Sequence, residues 1–445
     1  MEPEWRARAP LGSHPRSRRH AHGEAHPRTR DPSPRHGCAR PTHPQGARCP
    51  AGRDVRRRPP RSDVTVEAVD PRRERARSHG LTGVDVDAAL ELLARVPSVL
   101  VFLAALTVVA ECASIAGLFD LLGTKVVALA RGRIALVWVL FMTTAGLVTA
   151  FLSLDTTAVL MTTAAVVVAR RLDRPVALFA FPTLWIANMA SLWLPVSNLT
   201  NLLTRDVLPH PNALGFLEEA WPVALTTTLV PLLVAAVVWR SSLRGTAVAP
   251  AESAPPQPAQ DGVLPAVGTL VACMCVSILL VEPAVAASVA ALLCVAVIAM
   301  RRRSTLAEIE VPWRSLAITS ALFVTVALVR GSAVLRPALG SLGDAPAWTL
   351  TAAGALVANG LNNLPAYLAL EPAAHGETDR VLALLVGVNV ASGITWWGSV
   401  ATLLWRDRLR RAGVRIRWGT HLRLTGLATL VTTLAAAGVL ELVSR

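Results

Sequence analysis

Acidic and hydroxyl side chains stand inside the apolar stretches of this sequence. Asp155 lies in the segment LSLDTTAVL, and the hydroxyl groups of Thr156 and Thr157 follow it directly; Glu111 is a second acid inside an apolar stretch. An ionisable group in such a setting is costly to bury and marks an ion or proton site by default. We therefore predict Asp155 and then Glu111 as ion-coupling groups, and both threonines as substrate contacts. An ion pair or a helix-end position would equally explain Glu111.

A second stretch carries amides in place of the acid. The segment NGLNNLPAYLALEP places Asn362 and Asn363 side by side, just before a proline. At membrane depth, irregular backbone is tolerated only where it is buried in protein or lines a wet cavity. We predict that residues 131–170 and 345–372 form re-entrant helical hairpins, with Asp155 at the first tip and the two asparagines at the second. Ordinary kinked helix pairs are the alternative.

A gapless internal repeat relates the two halves of the chain. Residues 188–208 read NMASLWLPVSNLTNLLTRDVL and residues 389–409 read NVASGITWWGSVATLLWRDRL, with eight identities in 21 positions. Interrupted hydrophobic segments at corresponding places in two halves indicate a transporter's binding site. Helix capping and hydrogen bonds between helices are the simpler explanation for each polar group alone. The groups that we predict to bind substrate are Asn188, Ser197, Asn198, Thr200 and Asn201 in the first copy and Asn389, Gly398, Ser399 and Thr402 in the second.

The elements that must position these groups are membrane-spanning helices. Hydrophobic residues make up 53% of the 445 residues, and the mean hydropathy is +0.46. From about residue 96 onward, apolar stretches of roughly 17–25 residues recur, which suffices to cross a hydrocarbon core about 30 Å thick. We predict an all-α polytopic protein of the cell membrane. The predicted spans are 97–119, 175–196, 219–240, 263–280, 284–300, 313–329, 380–404 and 420–442.

The spans and hairpins fall into two repeats joined by a polar linker. Each repeat contains one re-entrant hairpin and one broken transmembrane helix, and an odd number of spans predicts that the repeats are inverted. The first two spans of the second repeat have no counterparts in the first repeat. The Arg/Pro-rich tail occupies the corresponding positions of the sequence. We expect this tail not to be the native start of the chain. The predicted regions are the tail 1–90, the first repeat 91–240, the linker 241–262 and the second repeat 263–445.

Most of the positive charge lies in the tail. Residues 1–80 hold 19 Arg and nine acidic residues, about +10 of the net charge of +14. Such a segment buries too little apolar surface to fold, and Trp5 is its only aromatic residue for base stacking; we expect disorder and no nucleic-acid partner. The remaining arginines place the linker in the cytoplasm and the C-terminus outside by the positive-inside rule.

The sequence contains few residues that would suit an enzyme active site or a metal site. Beyond the tail the histidines are His210, His375 and His421, which we predict in loops or at interfaces, and no GxxxxGK[ST] loop is present. The pair Cys273-x-Cys275 lacks partners at zinc spacing. We therefore predict a non-enzyme with neither cofactor nor metal site.

Three motifs carry a family resemblance. ANMASLWLPVSNLTNLL, GLNNLPAYLALEP and GSVATLLWRDRLRRAGVRIRWGTHLRLTG resemble the arsenite permease (arsenical pump membrane protein) family, within the ion transporter superfamily of citrate and dicarboxylate carriers and sodium/proton antiporters. The resemblance covers residues 95–442. It implies export of trivalent arsenic and antimony hydroxides coupled to proton entry, a scaffold and a transport bundle per repeat, and, in some systems, a soluble ATPase partner. A second copy of the chain, forming a homodimer, is a further candidate partner.

The sequence departs from that family at four places. Members tend to carry Asp where Asn188 and Asn389 stand, an Asn-Asp pair in place of Leu154-Asp155, and a Lys near Gly393. The leading hypothesis is proton-coupled efflux of arsenite and antimonite through Asp155. The alternative is sodium- or proton-coupled transport of a small dicarboxylate- or citrate-like anion. A membrane-embedded enzyme lacks a nucleophile–base pair, and a channel-like scaffold conflicts with the alternating polar breaks.

Overall fold

The fold is helical throughout the part of the chain that the structure describes. The computed structural model describes residues 90, 92–205, 207–246, 261–330 and 335–443. The tail before Leu90, most of the linker and the last two residues lie outside this description. Within it, the only β-type pairing is an isolated bridge between Arg133 and Thr246.

The first half contains a helical hairpin and a discontinuous helix. Gly117, with φ +82°, turns the chain after the first helix, so the predicted span 97–119 ends early. A π-helical turn at Thr157–Met161 joins α4 to α5, and 3-10 turns at Ala190–Leu192 and Pro195–Ser197 separate α6 from α7. The helices are α1 (Val96–Ile115), α2 (Leu118–Leu129), α3 (Ile134–Leu152), α4 (Leu154–Thr156), α5 (Thr162–Arg171), α6 (Ala177–Met189), α7 (Leu199–Arg205) and α8 (Ala213–Val238).

The second half repeats this order after two additional helices. The helices are α9 (Val263–Ser277), α10 (Pro283–Arg301), α11 (Trp313–Arg330), α12 (Leu335–Gly343), α13 (Ala347–Gly360), α14 (Asn363–Leu370), α15 (Thr378–Leu385), α16 (Val400–Arg411) and α17 (Trp418–Val443). The shorter turns are Arg303–Glu308 and Glu371–Ala374, both 3-10, then a π turn at Val386–Val390 and a 3-10 turn at Ala391–Gly393.

Correspondence between the halves runs element by element. The order α1–α8 recurs as α11–α17: a long helix, a short helix, a hairpin, a discontinuous helix and a last long helix. The predicted span 380–404 is the discontinuous helix, because its helical structure is interrupted between Gly393 and Val400. Both hairpins and both broken helices are therefore confirmed as elements. Their re-entrant insertion and the inverted orientation of the repeats stay predictions.

The length and apolarity of the helices suit a bilayer. Among the described residues, five helices are long and apolar enough to cross a membrane, and three shorter apolar helices accompany them. On α8 the exposed side chains Leu225, Leu229, Leu233 and Val237 form one stripe at a spacing of four. An apolar stripe on the outside of a helical bundle faces lipid rather than water. The chain is a multi-pass membrane protein.

The helices sort into a scaffold and a core. α10 packs along α1, and α9 and α11 also contact α1; we call these four helices the scaffold bundle. At one end of it, Arg302 pairs with Asp261 and donates a hydrogen bond of 2.7 Å to the carbonyl of Ile115. That guanidinium holds the pKa of the Asp261 carboxyl below its usual value.

Each hairpin packs against the discontinuous helix of its own half. Every residue of α6 is buried, including Trp185, which agrees with a helix that is apolar on all sides. The helix α6 is thus buried among the described helices, and each helix break contacts the hairpin of its own half.

Candidate functional site

One cavity lies between the two hairpin tips, the first helix break and the scaffold bundle. Its volume is about 260 Å³, and none of its lining residues is Lys, Arg or His. Six of the predicted site residues line it: Glu111, Asp155, Thr156, Asn198, Asn362 and Asn363. The structure thus brings together both candidate acids and polar groups from both halves.

The first hairpin tip is a tight turn at Ser153. This residue has φ +83°, a backbone conformation that L side chains adopt at a cost of roughly 1–3 kcal/mol. Its carbonyl accepts a hydrogen bond from Thr157 Oγ1 at 3.2 Å, and Thr149 and Thr157 share a hydrogen bond of 2.9 Å between their hydroxyls. These contacts fix the turn that places Asp155 at the cavity. Thr157 itself is buried in them and does not line the cavity.

Asp155 contributes an uncompensated acceptor to this site. Its Oδ1 is buried and has no hydrogen-bond partner within the described part of the chain. The π turn that follows the acid is a distortion often found at functional sites. A buried carboxylate oxygen without a partner can take a proton or accept from a bound solute.

The second tip is held by the break of its own half. Asn362 Nδ2 donates to the carbonyl of Trp397 at 3.0 Å, and the backbone N–H of Asn363 donates to the carbonyl of Gly398 at 2.8 Å. Gly398 is required there, since a Cβ would lie 2.2 Å from the carbonyl oxygen of Ser392. The amide tip is therefore attached to the segment between Gly393 and Val400.

Asn359 holds the second helix break in place, a role that sequence reasoning missed. Its Oδ1 accepts from the backbone N–H of Thr395 at 2.9 Å, and its Nδ2 donates to the carbonyl of Ala391 at 2.8 Å. Its own carbonyl accepts from the indole of Trp397 at 2.8 Å. The sequence feature that could have identified it is its position as the first residue of the polar segment NGLNN.

A buried amide network joins the two helix breaks. Asn389 Oδ1 accepts from Asn198 Nδ2 and from Thr200 Oγ1, each at 2.9 Å, and Asn389 Nδ2 donates to Asn201 Oδ1 at 3.0 Å. All four side chains are buried. Asn201 Nδ2 extends the network to the carbonyl of Leu194 at 3.2 Å. The second half thereby holds the first break directly beside the cavity.

The repeat partner of Asn389 behaves differently. Asn188 donates to the carbonyl of Leu184 at 3.1 Å within its own helix, and its Oδ1 is buried without a partner in the described chain. It faces Gly393 across the core and does not line the cavity. Identical positions in the repeat therefore make different contacts.

The remaining predicted residues hold the breaks in shape. Ser197 Oγ donates to the carbonyl of Ala150 at 3.0 Å, which ties the first break to the hairpin arm α3. Ser399 Oγ accepts from the backbone N–H of Thr402 at 3.2 Å and caps α16. Neither serine nor Thr402 lines the cavity.

The placement of His421 in a loop is wrong, and its placement at a membrane interface stays a prediction. His421 lies in α17, is fully buried, and its Nε2 is 3.0 Å from the carbonyl oxygen of Gly393. The rings of Trp396, Trp405 and Phe181 surround it at centroid distances of 5.8–6.3 Å. The Arg-rich segment before it suggested a membrane surface, but aromatic packing buries the ring.

Comparisons with known proteins agree on one class of protein. Residues 67–402 match the model of the citrate transporter family (CitMHS). The arsenical pump membrane protein of Escherichia coli strain K12 is 26% identical over 338 residues, covering 69% of this chain and 77% of that protein. Another Escherichia coli arsenical pump membrane protein is 27% identical over 281 residues, covering 57% of this chain. The match spans 64% of that relative's length, slightly under two thirds.

A solved transporter shares the fold. The YdaH transporter of Alcanivorax borkumensis, described as having an unusual topology, aligns with a TM-score of 0.55 and 16% sequence identity. The alignment covers 83% of this chain and 88% of that one. This likeness concerns the fold.

Proposed function

The chain belongs to the citrate transporter family, and on that premise we propose that it exports arsenite and antimonite in exchange for protons. It is a secondary transporter that moves a small substrate across a lipid bilayer, not an enzyme. The arsenical pump relatives support this choice of substrate within the family.

The lining of the cavity carries the proposal. Two carboxyl groups, Glu111 and Asp155, and three amides face a space of about 260 Å³ without any basic lining residue. A citrate-like anion would bring negative charges beside two acids, and burying unpaired charge is strongly unfavourable. The uncharged trihydroxides of arsenic and antimony can donate to carboxylate and amide oxygens and accept from amide N–H groups. A small neutral polyol-like solute therefore fits this lining best.

Exchange follows if proton and substrate compete for one group. Oδ1 of Asp155, which has no partner within the described chain, accepts a hydroxyl of the substrate more strongly when the carboxyl group is ionised than when it is protonated. Proton and substrate therefore compete, and this competition couples export of one to entry of the other, provided that the cavity opens alternately to each side. Glu111 lines the same cavity and is the second candidate for this role.

The second candidate function is sodium- or proton-coupled transport of a small anion. The description of the matching family as citrate transporter favours it. Bound sodium ions would have to supply the positive charge that the lining residues lack. The polar segment Ser197–Asn201 at the first break would then provide their oxygen ligands.

We also propose that the protein lies in the cell membrane with the linker 241–262 in the cytoplasm and the C-terminus outside, on the basis of the positive-inside rule. A soluble ATPase and a second copy of the chain remain proposed partners. Cysteine labels at Arg410 and in the linker should react from the cytoplasmic side, and one at Arg445 from outside. A linker and Arg445 on the same side would exclude an odd number of crossings in the second repeat.

Transport assays separate the two candidate functions. The full chain is expressed in an arsenite-sensitive host, and resistance and efflux of As(III) are measured with and without an imposed proton gradient. Citrate and succinate uptake are measured in parallel, with and without sodium. We expect gradient-dependent As(III) efflux and no carboxylate uptake. Sodium-dependent citrate uptake without As(III) efflux would replace the first candidate by the second.

A further inference from the structure

A second pocket lies apart from the transport cavity, at the end of α16. It has a volume of about 420 Å³ and is lined by three arginines, one tryptophan and three aliphatic residues. The lining residues are Trp396, Arg406, Leu409, Arg410, Val414, Arg415 and Ile416. None of the seven is acidic, so the pocket concentrates positive charge against an apolar wall.

The charges in this pocket are uncompensated. None of its three guanidinium groups has a hydrogen bond or an ion pair within the described chain; Arg406 alone makes a contact of another kind, with its Cζ 3.5 Å from the centroid of the Trp396 ring. The indole Nε1 of Trp396 is buried and likewise lacks a partner there. Converging cations beside an orphaned buried N–H form a donor set for an anion.

The surroundings of the pocket match a membrane surface. Trp397 and Trp418 stack with centroids 6.1 Å apart and are 49% and 37% exposed, which is typical of aromatic residues at headgroup level. Trp418 begins the long apolar helix α17, and the arginine-rich end of α16 precedes it. Leu409, Val414 and Ile416 add an apolar wall to the same pocket. A ligand with both a charged and an apolar part suits this position.

We propose that this pocket binds the phosphate group of an anionic phospholipid headgroup. The arginines and the Trp396 N–H contact the phosphate, and the aliphatic wall contacts the start of an acyl chain. Basic pockets of membrane proteins near the headgroup level bind anionic lipids in this way. Free inorganic phosphate shares the charged part of this chemistry but has nothing to place against the aliphatic wall.

The pocket is connected to the second hairpin tip. Trp396 and Trp397 are neighbours in the segment between Gly393 and Val400, and the carbonyl of Trp397 accepts from Asn362 at the tip. A lipid that orders Trp396 therefore also orders the segment that holds the amide tip. The proposal of a lipid site in this pocket does not depend on which substrate the protein transports.

Lipid binding to the full purified chain tests the proposal. Dioctanoyl phosphatidylglycerol, dioctanoyl phosphatidylcholine and inorganic phosphate are titrated separately, with native mass spectrometry as the readout. The test variant is Arg410→Gln with Arg415→Gln, both exposed positions. The matched control is Arg417→Gln with Arg423→Gln, also exposed but not in the pocket lining.

We expect the anionic lipid to bind about tenfold or more tightly than the zwitterionic lipid and than phosphate. The test variant should lose roughly 20-fold in affinity for the anionic lipid, and the control less than about threefold. Trp396→Phe keeps an aromatic ring but removes the indole N–H, and should lose about tenfold in affinity for the anionic lipid. Equal loss in test and control variants, equal binding of both lipids, or phosphate binding as tight as the anionic lipid would each overturn the proposal.

Discussion

The two hairpin tips meet at one cavity but bring different chemistry to it. The first presents Asp155, whose Oδ1 has no partner among the described residues, whereas the second presents Asn362 and Asn363. The first turn is closed by hydroxyls of its own hairpin, and the second is held by the adjacent break. The two hairpins thus form a titratable half and a neutral half of the site. We infer that coupling belongs to the first half and solute positioning to both.

The largest expected effect comes from making the first tip neutral like the second. Asp155→Asn keeps the shape but removes the titratable group, so proton-driven efflux should fall by about a hundredfold or more while the fold survives. Efflux from vesicles under an imposed pH gradient measures this. Asp120→Asn, an exposed acid on α2, is the matched control and should have no effect. Wild-type efflux with unchanged pH dependence in Asp155→Asn would move coupling to Glu111.

The next effect sharpens the comparison of the two breaks. Asn389→Ala removes a bridge to three side chains and leaves buried amides unpaired, a loss of roughly 1–3 kcal/mol for each unsatisfied group. Asn188→Ala removes one hydrogen bond within its own helix. We expect transport to fall roughly tenfold in the first variant and about twofold in the second.

Thermal unfolding and gel filtration check that both asparagine variants remain folded. Asn389→Asp retains the acceptor for Asn198 and Thr200 and should recover part of the activity. Equal losses in Asn188→Ala and Asn389→Ala would show that the bridge between the halves is not used.

A smaller effect is expected from adding one methyl group to the second break. Gly398→Ala would place a Cβ 2.2 Å from the carbonyl oxygen of Ser392, which is too close for two atoms that are not bonded. Overpacking of this kind typically destabilises the folded protein by about 1–3 kcal/mol. Gly393→Ala meets its nearest atom, on Thr425, at 3.5 Å and is the control. The melting temperature should decrease in the first variant only. A decrease of the same size in both would assign the effect to the helix break in general.

The smallest effect concerns the region where the halves differ most. The first half has the Arg/Pro-rich tail where the second has α9 and α10, and the family match begins inside the tail, at residue 67. Deletion of residues 1–85 should leave membrane insertion and transport unchanged, because so polar a segment buries little. Deletion of residues 1–66 alone tests the part of the tail that lies outside the family match. Loss of folded protein in either deletion variant would show that the tail is needed for folding.

Local sequence was sufficient for the elements of the fold. Long apolar runs predicted the spanning helices, and the interruptions at Asp155, at Asn362 and after Ser392 predicted the hairpin tips and the second break. These predictions succeed because hydrophobic length and breaking residues act within one segment. The resemblance of three short motifs likewise identified the family.

Tertiary packing decided which polar groups share the cavity. Asn188 and Asn389 occupy equal positions in the repeat, yet Asn188 lies in the α-helix Ala177–Met189 and Asn389 in the π turn Val386–Val390. The changed helical spacing, together with neighbours from the other half, directs Asn389 toward Asn198 and leaves Asn188 bonded within its own helix. His421 is buried for the same kind of reason, since aromatic rings from α6, α16 and the second break close around it. Such contacts join residues up to about 240 positions apart, and no pattern within a single segment encodes them.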